Sequence, residues 1–247
     1  MIVSSRLVLI HGFTERPSMW DELVSEINNP LIAISTPSIP GHGAHPDLLT
    51  EHTTKAYCEA LLKQIPHDDL PWIVIGHSMG GYLASSLVFM VPERIQALGF
   101  FHSKAGADNA GKIEDRRRAI ATASQSKDLY LATMLRNTLA ERHVAQFQHA
   151  LSEMIDTAQH DISSQCIEAA QSVMIERPDN VEYLQKAHFP ISYFLGAEDK
   201  SIPYEQVRAE LESLPNAHVQ VIENVGHMGH IECKAAASEW IRNLCIV

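Results

Sequence analysis

The chain has 247 residues, of which 45% are hydrophobic, and its 30 Asp and Glu against 19 Lys and Arg give a formal net charge of −11. A chain this apolar buries a substantial core, which excludes an intrinsically disordered protein. The acidic balance argues against nucleic-acid binding and against docking on an anionic membrane, because both draw their affinity from Lys and Arg. We therefore expect no nucleic-acid partner and no membrane partner.

Cysteine usage and apolar segments favour the cytoplasm. The four cysteines are scattered without a CxxC or similar metal spacing, and a disulfide scaffold is not expected in a chain this long. The apolar start, residues 1–10, is too short for a secretory signal and contains Arg6. No stretch reaches the roughly 18 apolar residues that a membrane span needs.

Short apolar runs alternate with segments of helical period. Six runs are candidate strands: residues 7–10, 31–34, 72–75, 97–101, 191–195 and 219–222. Most are continuously apolar, as strands covered on both faces are. Alternating strands and helices predict right-handed crossovers and a mostly parallel sheet, so the chain has an α/β fold.

Residues 103–186 break this alternation, because their pattern predicts only helices. We expect a helical insertion there, with residues 1–102 and 187–247 forming the core. Its clearest apolar stripe is Val144, Phe147, Leu151, Met154, Ile155 and Ala158. This stripe is interpreted as core packing, with an acyl-binding pocket as the alternative. The basic run 116–118 is interpreted as a solvated helix face, with steering of an anionic substrate as the alternative.

Residues 76–81 (GHSMGG) follow directly on the third predicted strand and precede a helical segment. This is G-x-S-x-G in the strand–turn–helix context that holds a nucleophile. Glycines are needed because Cβ atoms at Gly76 and Gly80 would collide with neighbouring backbone. The turn projects the Ser78 hydroxyl from the carboxyl edge of the sheet, near a helix start that favours negative charge. Ser78 is therefore the candidate nucleophile.

A serine hydroxyl needs a base, and the base needs an orienting group. His227 follows the last predicted strand and Asp199 follows the fifth, so both lie in loops at the same edge of the sheet as Ser78. The chain order Ser, Asp, His is the one expected for a nucleophile in such a turn.

Three other residues compete for these roles. His230 follows His227 by three residues and is expected inside a helix turn, facing elsewhere. Glu198 precedes Asp199, and the shorter carboxylate at the later position fits better. Asp108, beyond the fourth strand, is a weaker substitute for the acid. Two histidine pairs at i, i+3 spacing have no evident third ligand, so we expect no metal.

Acyl transfer through a tetrahedral intermediate also needs two N–H donors for the developing oxyanion, and losing one costs roughly 10²–10³ in rate. The N–H of Met79 is one candidate, and that of Phe13, in the loop after the first strand, is the other. Four further residues at this edge are candidate substrate contacts: His11, Gly12, His77 and His102.

Together these motifs resemble the α/β-hydrolase superfamily, in its serine-nucleophile branch of carboxylesterases and lipases. The segments that carry the resemblance are residues 11–13 (HGF), 40–43 (PGHG), 76–81 (GHSMGG), 196–203 (GxxDxxxP) and 226–227 (GH). The resemblance covers nearly the whole chain, and residues 103–186 correspond to the family's cap. It implies a triad of Ser78, His227 and Asp199, an oxyanion hole from the two N–H groups named above, no cofactor, and a pocket between core and cap.

Two features depart from the family pattern. Only ten residues precede His11, so we expect the strand hairpin that usually comes before this motif to be absent and the sheet to have about six strands. Ser38 stands where many relatives have Asp. With its neighbouring prolines, the stretch 37–43 looks more like that of carboxylesterases and monoacylglycerol lipases.

The serine at position 78 excludes the dehalogenase and epoxide-hydrolase branches, which use Asp there. The leading hypothesis is hydrolysis of a small-to-medium carboxylic ester or thioester, a small-molecule acyl substrate, through an acyl-enzyme on Ser78. The alternatives are a lyase or carbon–carbon hydrolase in which the same residues move protons, and a receptor-like hydrolase with slow turnover. The net negative charge favours an uncharged acyl group.

Overall fold

The computed structural model describes residues 3–27, 29–43 and 45–246. Residues 1, 2, 28, 44 and 247, which include both ends of the predicted core, lie outside these ranges. Within the described ranges, six strands form one sheet in the order β2-β1-β3-β4-β5-β6, and every pairing is parallel. The strands are β1 (Ser5–Ile10), β2 (Ile32–Ser35), β3 (Trp72–His77), β4 (Ile95–Phe101), β5 (Ile191–Gly196) and β6 (Ala217–Ile222).

Each predicted apolar run overlaps one of these strands, which confirms the α/β architecture and the parallel sheet of about six strands. Strands β1, β3 and β5 are buried at every residue, because helices cover both faces of the sheet. The edge strands β2 and β6 keep half-buried and exposed residues.

Helices occupy the connections between the strands. They are α1 (Asp21–Ile27), α2 (Thr54–Leu62), α3 (Met79–Met90), α4 (Ala110–Gln125), α5 (Lys127–Arg136), α6 (Gln148–Asp161), α7 (Ser164–Glu176), α8 (Val181–Leu184), α9 (Tyr204–Ser213), α10 (Gly229–Glu232) and α11 (Lys234–Leu244). Helices α4 to α8 all lie between β4 and β5. In the part of the chain that the structure describes, no helix has the length and apolar character needed to cross a bilayer.

The core lies on both faces of the sheet, because successive side chains of a strand point to opposite sides. On one face Val8 and Val74 pack with Leu83 of α3. On the other face Leu7 packs in a cluster with Trp240 of α11.

A third apolar cluster lies within the helices between β4 and β5. Its buried members include Leu151 and Ala158 of the predicted stripe, and the other four residues of the stripe are partly buried and pack against it: Val144, Phe147, Met154 and Ile155. The stripe therefore serves in packing, and none of its residues lines the cavity that contains Ser78. Met228 belongs to the same cluster, so these helices pack on the carboxyl edge of the sheet. The division into a core of residues 1–102 and 187–247 and a cap of residues 103–186 stays a prediction.

The turn between β3 and α3 leaves no room for side chains at its glycines. A Cβ at Gly76 would lie 2.2 Å from the carbonyl oxygen of Gly80, and one at Gly80 would lie 2.3 Å from that of His11. Ser78 itself has a positive φ of 49°, a strained conformation for a serine. The close approach of these backbones holds Ser78 at the carboxyl edge of the sheet.

Substitution of Gly76 by Ala tests this packing against a matched glycine. We expect Gly76→Ala to lower the free energy of unfolding by at least about 3 kcal/mol, because backbone atoms must move to admit the methyl group. Gly111→Ala, on α4, meets only the side chain of Asn109 at 3.4 Å. It should change stability by less than about 1 kcal/mol. Urea unfolding measures both, and equal midpoints would contradict the crowding at Gly76.

Candidate active site

Four loops meet at the carboxyl edge of the sheet. Ser78 follows β3 and Asp199 follows β5. His227 follows β6, and Phe13 follows β1. The carboxyl ends of parallel strands share one edge, where ligand sites of such sheets form. A cavity of about 210 Å³ lies there, and its walls include Phe13, His77, Ser78 and His227.

Asp199 is a buried carboxylate that orients His227. Its Oδ2 accepts a hydrogen bond from His227 Nδ1 at 2.7 Å. Its Oδ1 accepts from the backbone N–H groups of Ser201 at 2.8 Å and Ile202 at 2.9 Å. Burial alone would raise the pKa of Asp199, but the adjacent imidazoles outweigh burial and hold the pKa well below its usual range. Because Nδ1 faces this carboxylate, Nε2 is the ring nitrogen that remains to exchange a proton with a hydroxyl.

The candidate nucleophile shares the cavity with this pair. Ser78 and His227 both line it, although the two described side chains make no direct hydrogen bond. Catalytic hydrogen bonds often form only when a substrate is in place. The Ser78 backbone is fixed, since its N–H donates to the carbonyl of Phe101 at 3.1 Å and its carbonyl accepts from Ser103 Oγ at 2.6 Å.

His102 is a second imidazole on the same carboxylate. Its Nδ1 lies 3.3 Å from Asp199 Oδ2, and burial lowers its pKa to about 4, so the ring is neutral. His102 was expected to contact substrate, but it is fully buried and does not border the cavity. Its φ is positive, at 47°, which is an uncommon backbone conformation for a residue other than glycine. The sequence correctly predicted that His102 lies at the carboxyl edge of the sheet, but it did not predict the contact with Asp199.

The ligating atoms of His102, Asp199 and His227 all lie within 4.8 Å of one another, which is compatible with a metal site. Hydrogen bonding explains the grouping, because both rings use Nδ1 toward one oxygen of Asp199. That no metal binds the chain stays a prediction.

The two residues predicted to supply oxyanion donors lie near Ser78, since Met79 follows it in the chain and Phe13 lines the same cavity. Met79 is the first residue of α3, so its N–H has no partner within the helix. Neither this N–H nor that of Phe13 has a hydrogen-bond partner among the residues described. That these two groups form an oxyanion hole stays a prediction.

The predicted substrate contacts His11 and Gly12 are not among the residues that line the cavity. The buried ring of His11 accepts from the N–H of Ile39 at 3.0 Å and contacts the carbonyl of Gly12 at 2.9 Å. A Cβ at Gly12 would lie 2.7 Å from Glu15 Oε2 and 2.9 Å from His77 Nδ1. Their observed contacts thus position the loop after β1.

Glu15 is a functional candidate that sequence reasoning missed. Its Oε2 accepts from the N–H of Gly12 at 2.5 Å and from His77 Nδ1 at 2.7 Å. The other nitrogen of His77, Nε2, lies 2.9 Å from the carbonyl oxygen of His227. Both ring nitrogens therefore face acceptors, which is the pattern of an imidazolium.

The electrostatics agree with a buried ion pair of Glu15 and His77. Burial alone would lower the pKa of His77, but the Glu15 carboxylate outweighs it and raises the pKa above its ordinary 6.5. Burial would raise the pKa of Glu15, but the charge of His77 outweighs it and lowers this pKa to about 2. The pair links the loop of Phe13 to the backbone of His227.

The three competing residues lie elsewhere. His230 lies in α10 and borders a different cavity, and burial lowers its pKa to about 4. Glu198 is exposed beside Arg142. Asp108 is bound by two arginines.

The chain belongs to the alpha/beta hydrolase family, whose model matches residues 7–239. This confirms the resemblance and the fold predicted from the motifs.

Characterised relatives include esterases and a lipase. The lipase LipV of Mycobacterium tuberculosis is 35% identical over 95 residues, which are 38% of this chain and 35% of the lipase. The chain therefore spans about a third of that relative. A pimeloyl-(acyl-carrier protein) methyl ester esterase of Neisseria meningitidis is 25% identical over 246 residues, covering 94% of this chain and 91% of the esterase. A thermophilic esterase of Thermogutta terrifontis has the same fold, with a TM-score of 0.84, 22% identity, and coverage of 99% of this chain and 92% of the esterase.

The buried histidines predict how stability depends on pH. Burial lowers the pKa of His11, His102 and His230 to about 4 and that of His42 to about 3, from an ordinary 6.5. Between these values the unfolded chain binds up to four more protons at these histidines than the folded chain, so the free energy of unfolding falls as the pH falls. Each such proton contributes about 1.4 kcal/mol per pH unit.

We expect the urea-unfolding free energy to drop steeply between pH 6.5 and pH 4. The raised pKa of His77 acts in the opposite sense, since its stabilisation is lost as the pH rises through the folded value. Stability should therefore be greatest near neutral pH. In His42→Gln the acid slope should be shallower by about one proton, and an unchanged slope would contradict a neutral His42.

The ion pair of Glu15 and His77 is tested by Glu15→Gln. Removing the carboxylate should lower the pKa of His77, read from its imidazole signals in an NMR titration. It should also lower the free energy of unfolding by about 3 kcal/mol, as expected when one partner of a buried pair is removed. Glu198→Gln, at an exposed position, is the matched control. It should leave the pKa of His77 unchanged and should change the free energy of unfolding by less than about 0.5 kcal/mol. An unaltered His77 titration in Glu15→Gln would show that the pair is not ionic.

Proposed function

We propose that the protein is a serine hydrolase that cleaves a small-to-medium carboxylic ester or thioester through an acyl-enzyme on Ser78. The observation that carries the proposal is the 2.7 Å bond between the ionised Asp199 and His227, beside a cavity that Ser78 also lines. A buried acid that fixes the tautomer of an imidazole near a serine is the arrangement that activates a hydroxyl for acyl transfer.

In the proposed mechanism, Ser78 Oγ attacks the carbonyl carbon while His227 Nε2 accepts the hydroxyl proton. The oxyanion of the tetrahedral intermediate accepts hydrogen bonds from the N–H groups of Phe13 and Met79. As the intermediate collapses, His227 returns the proton to the leaving alcohol or thiol. A water, deprotonated by His227, then attacks the acyl-enzyme and releases the acid and the free serine.

The substrate is proposed to lie between the sheet edge and the helices that follow β4. The cavity wall contains Phe13 and Ser78 from the sheet loops together with Tyr130, Met134 and Gln171 from α5 and α7. In this proposal, helices α4 to α8 act as the predicted cap, and its side chains select the acyl group. Relatives named as a lipase and as a methyl ester esterase support ester hydrolysis as the reaction.

Turnover of p-nitrophenyl acetate, butyrate and hexanoate tests the proposal. We expect Ser78→Ala and His227→Ala each to lower kcat by at least about 10³, because the serine and its base act as one unit. Ser172→Ala is the matched control, since this hydroxyl binds only the carbonyl of Glu168 on its own helix. It should retain wild-type rates.

A serine-directed phosphonate should label Ser78 in the wild type and leave Ser78→Ala unlabelled. Ester turnover that survives Ser78→Ala would overturn the proposal. Turnover of a vinylogous diketone without any ester hydrolysis would instead favour a carbon–carbon hydrolase.

A further inference from the structure

Two cations of α4 line the cavity that contains Ser78. Lys112 and Arg116 are four residues apart, so they lie on the same face of the helix, and both border the cavity. The other two arginines of the run 116–118 are exposed and pair with acidic neighbours on α4. Arg117 and Arg118 therefore form the predicted solvated face, whereas Arg116 faces the cavity.

Arg116 is held rigidly in the wall. Its side chain is only 9% exposed, and its Nε donates to Asp108 Oδ2 at 2.5 Å. Its Nη1 donates to Gln171 Oε1 at 3.1 Å. Asp108 also accepts from Arg177 at 2.8 Å, so one carboxylate serves two guanidinium groups. The arrangement leaves positive charge in excess at this wall of the cavity.

Lys112 adds a second cation without a partner of opposite charge. Its Nζ lies 3.5 Å from the carbonyl oxygen of Ser201, and it forms no ion pair with any carboxylate in the described ranges. Burial and then the nearby charge of Arg116 lower the pKa of Lys112. Asp115 also borders the cavity, but it is exposed and bound to Arg118. The charges of Asp108, Asp115 and Asp199 favour the ammonium form, but none of the three forms an ion pair with Lys112, so an anion entering the cavity could bind its Nζ directly.

The Lys112 ammonium lies close to the catalytic loop. The residue whose carbonyl it approaches, Ser201, donates its own N–H to Asp199 at 2.8 Å. A substrate whose ester carbonyl lies at Ser78 can therefore reach Lys112 within the same cavity.

We propose that the cavity takes an ester whose acyl part ends in a free carboxylate, a half-ester of a dicarboxylic acid, and that Lys112 and Arg116 bind this carboxylate. The inference rests on the proposed function, since it names the substrate class of the same site. Charge-assisted hydrogen bonds to a carboxylate are about twice as strong as neutral ones. They act at short range, where a cationic pocket outweighs the net charge of −11 that the whole chain carries.

Paired substrates of equal chain length test the proposal. The mono-p-nitrophenyl esters of adipic and suberic acid carry the terminal carboxylate, and p-nitrophenyl hexanoate and octanoate lack it. We expect the wild type to have a KM at least about tenfold lower for each half-ester than for its neutral counterpart, which corresponds to about 1.4 kcal/mol. Sodium chloride at high concentration should reduce this preference, because it screens the charges.

Lys112→Met removes the charge and retains most of the length of the side chain. It should raise KM for the half-esters about tenfold while changing kcat/KM for the neutral esters less than twofold. Arg117→Gln removes one positive charge from the exposed face of the same helix and is the matched control. It should leave both substrate classes unchanged.

Measurements of ligand binding without turnover test the anion site independently of the proposed hydrolysis. Monomethyl adipate should bind to Ser78→Ala in calorimetry, and the additional change Lys112→Met should weaken that binding about tenfold. Methyl hexanoate should show no dependence on Lys112. Ser78-dependent hydrolysis of neutral esters without a preference for half-esters would overturn the inference and leave the proposed function standing. Lys112-dependent binding without any Ser78-dependent hydrolysis would support the anion site and overturn the proposed function.

Discussion

The geometry of the candidate site depends on the hydrogen bonds that the buried carboxylate of Asp199 accepts. Taking the Asp199 charge out of water costs several kcal/mol unless donors surround it. Two donors are N–H groups of its own loop, and two are imidazoles from the ends of other strands, His102 after β4 and His227 after β6. The carboxylate is therefore satisfied only when three strand ends have reached their final positions. The orientation of the His227 ring is consequently fixed by the fold of the sheet and needs no substrate to establish it.

A second buried charge fixes the backbone of the same histidine. The ring of His77 lies between Glu15 and the carbonyl oxygen of His227, and the N–H of His227 donates to the carbonyl of Thr138 at 2.6 Å. His227 is thus held by its side chain, its carbonyl and its N–H, each from a different part of the chain. Because Glu15 also binds Gly12, the loop that carries the Phe13 N–H is fixed relative to the base. Such positioning matters because proton transfer and oxyanion binding tolerate errors of only about 0.5 Å.

The sequence is most informative where covalent neighbours determine the structure. The turn around Ser78 could be predicted because its glycines are adjacent in the chain, and Asp199 and His227 because parallel strands bring their loops to one edge. Glu15 could not be predicted, since its partner His77 is 62 residues away and only tertiary packing brings the two together. His102 was assigned to substrate because a strand end indicates the edge of the sheet but not the direction of a ring. The same limit applies to Arg116, which faces inward only because α4 is packed against α7 and α5.

The inward position of Arg116 also shows that the charge of a cavity wall can differ in sign from the net charge of the whole chain. Net charge governs encounters at distances comparable to the Debye length, where mobile ions screen it. Inside a cavity, the groups in the wall and the low local dielectric decide which charge is stabilised. Here the wall supplies Lys112 and Arg116, while the carboxylate of Asp108 is already shared with a second arginine. In the proposed reaction the charge that develops beside Ser78 is stabilised by the N–H groups of Phe13 and Met79, so the cations of α4 would act on the distant end of the acyl group and leave the reacting end to the sheet loops.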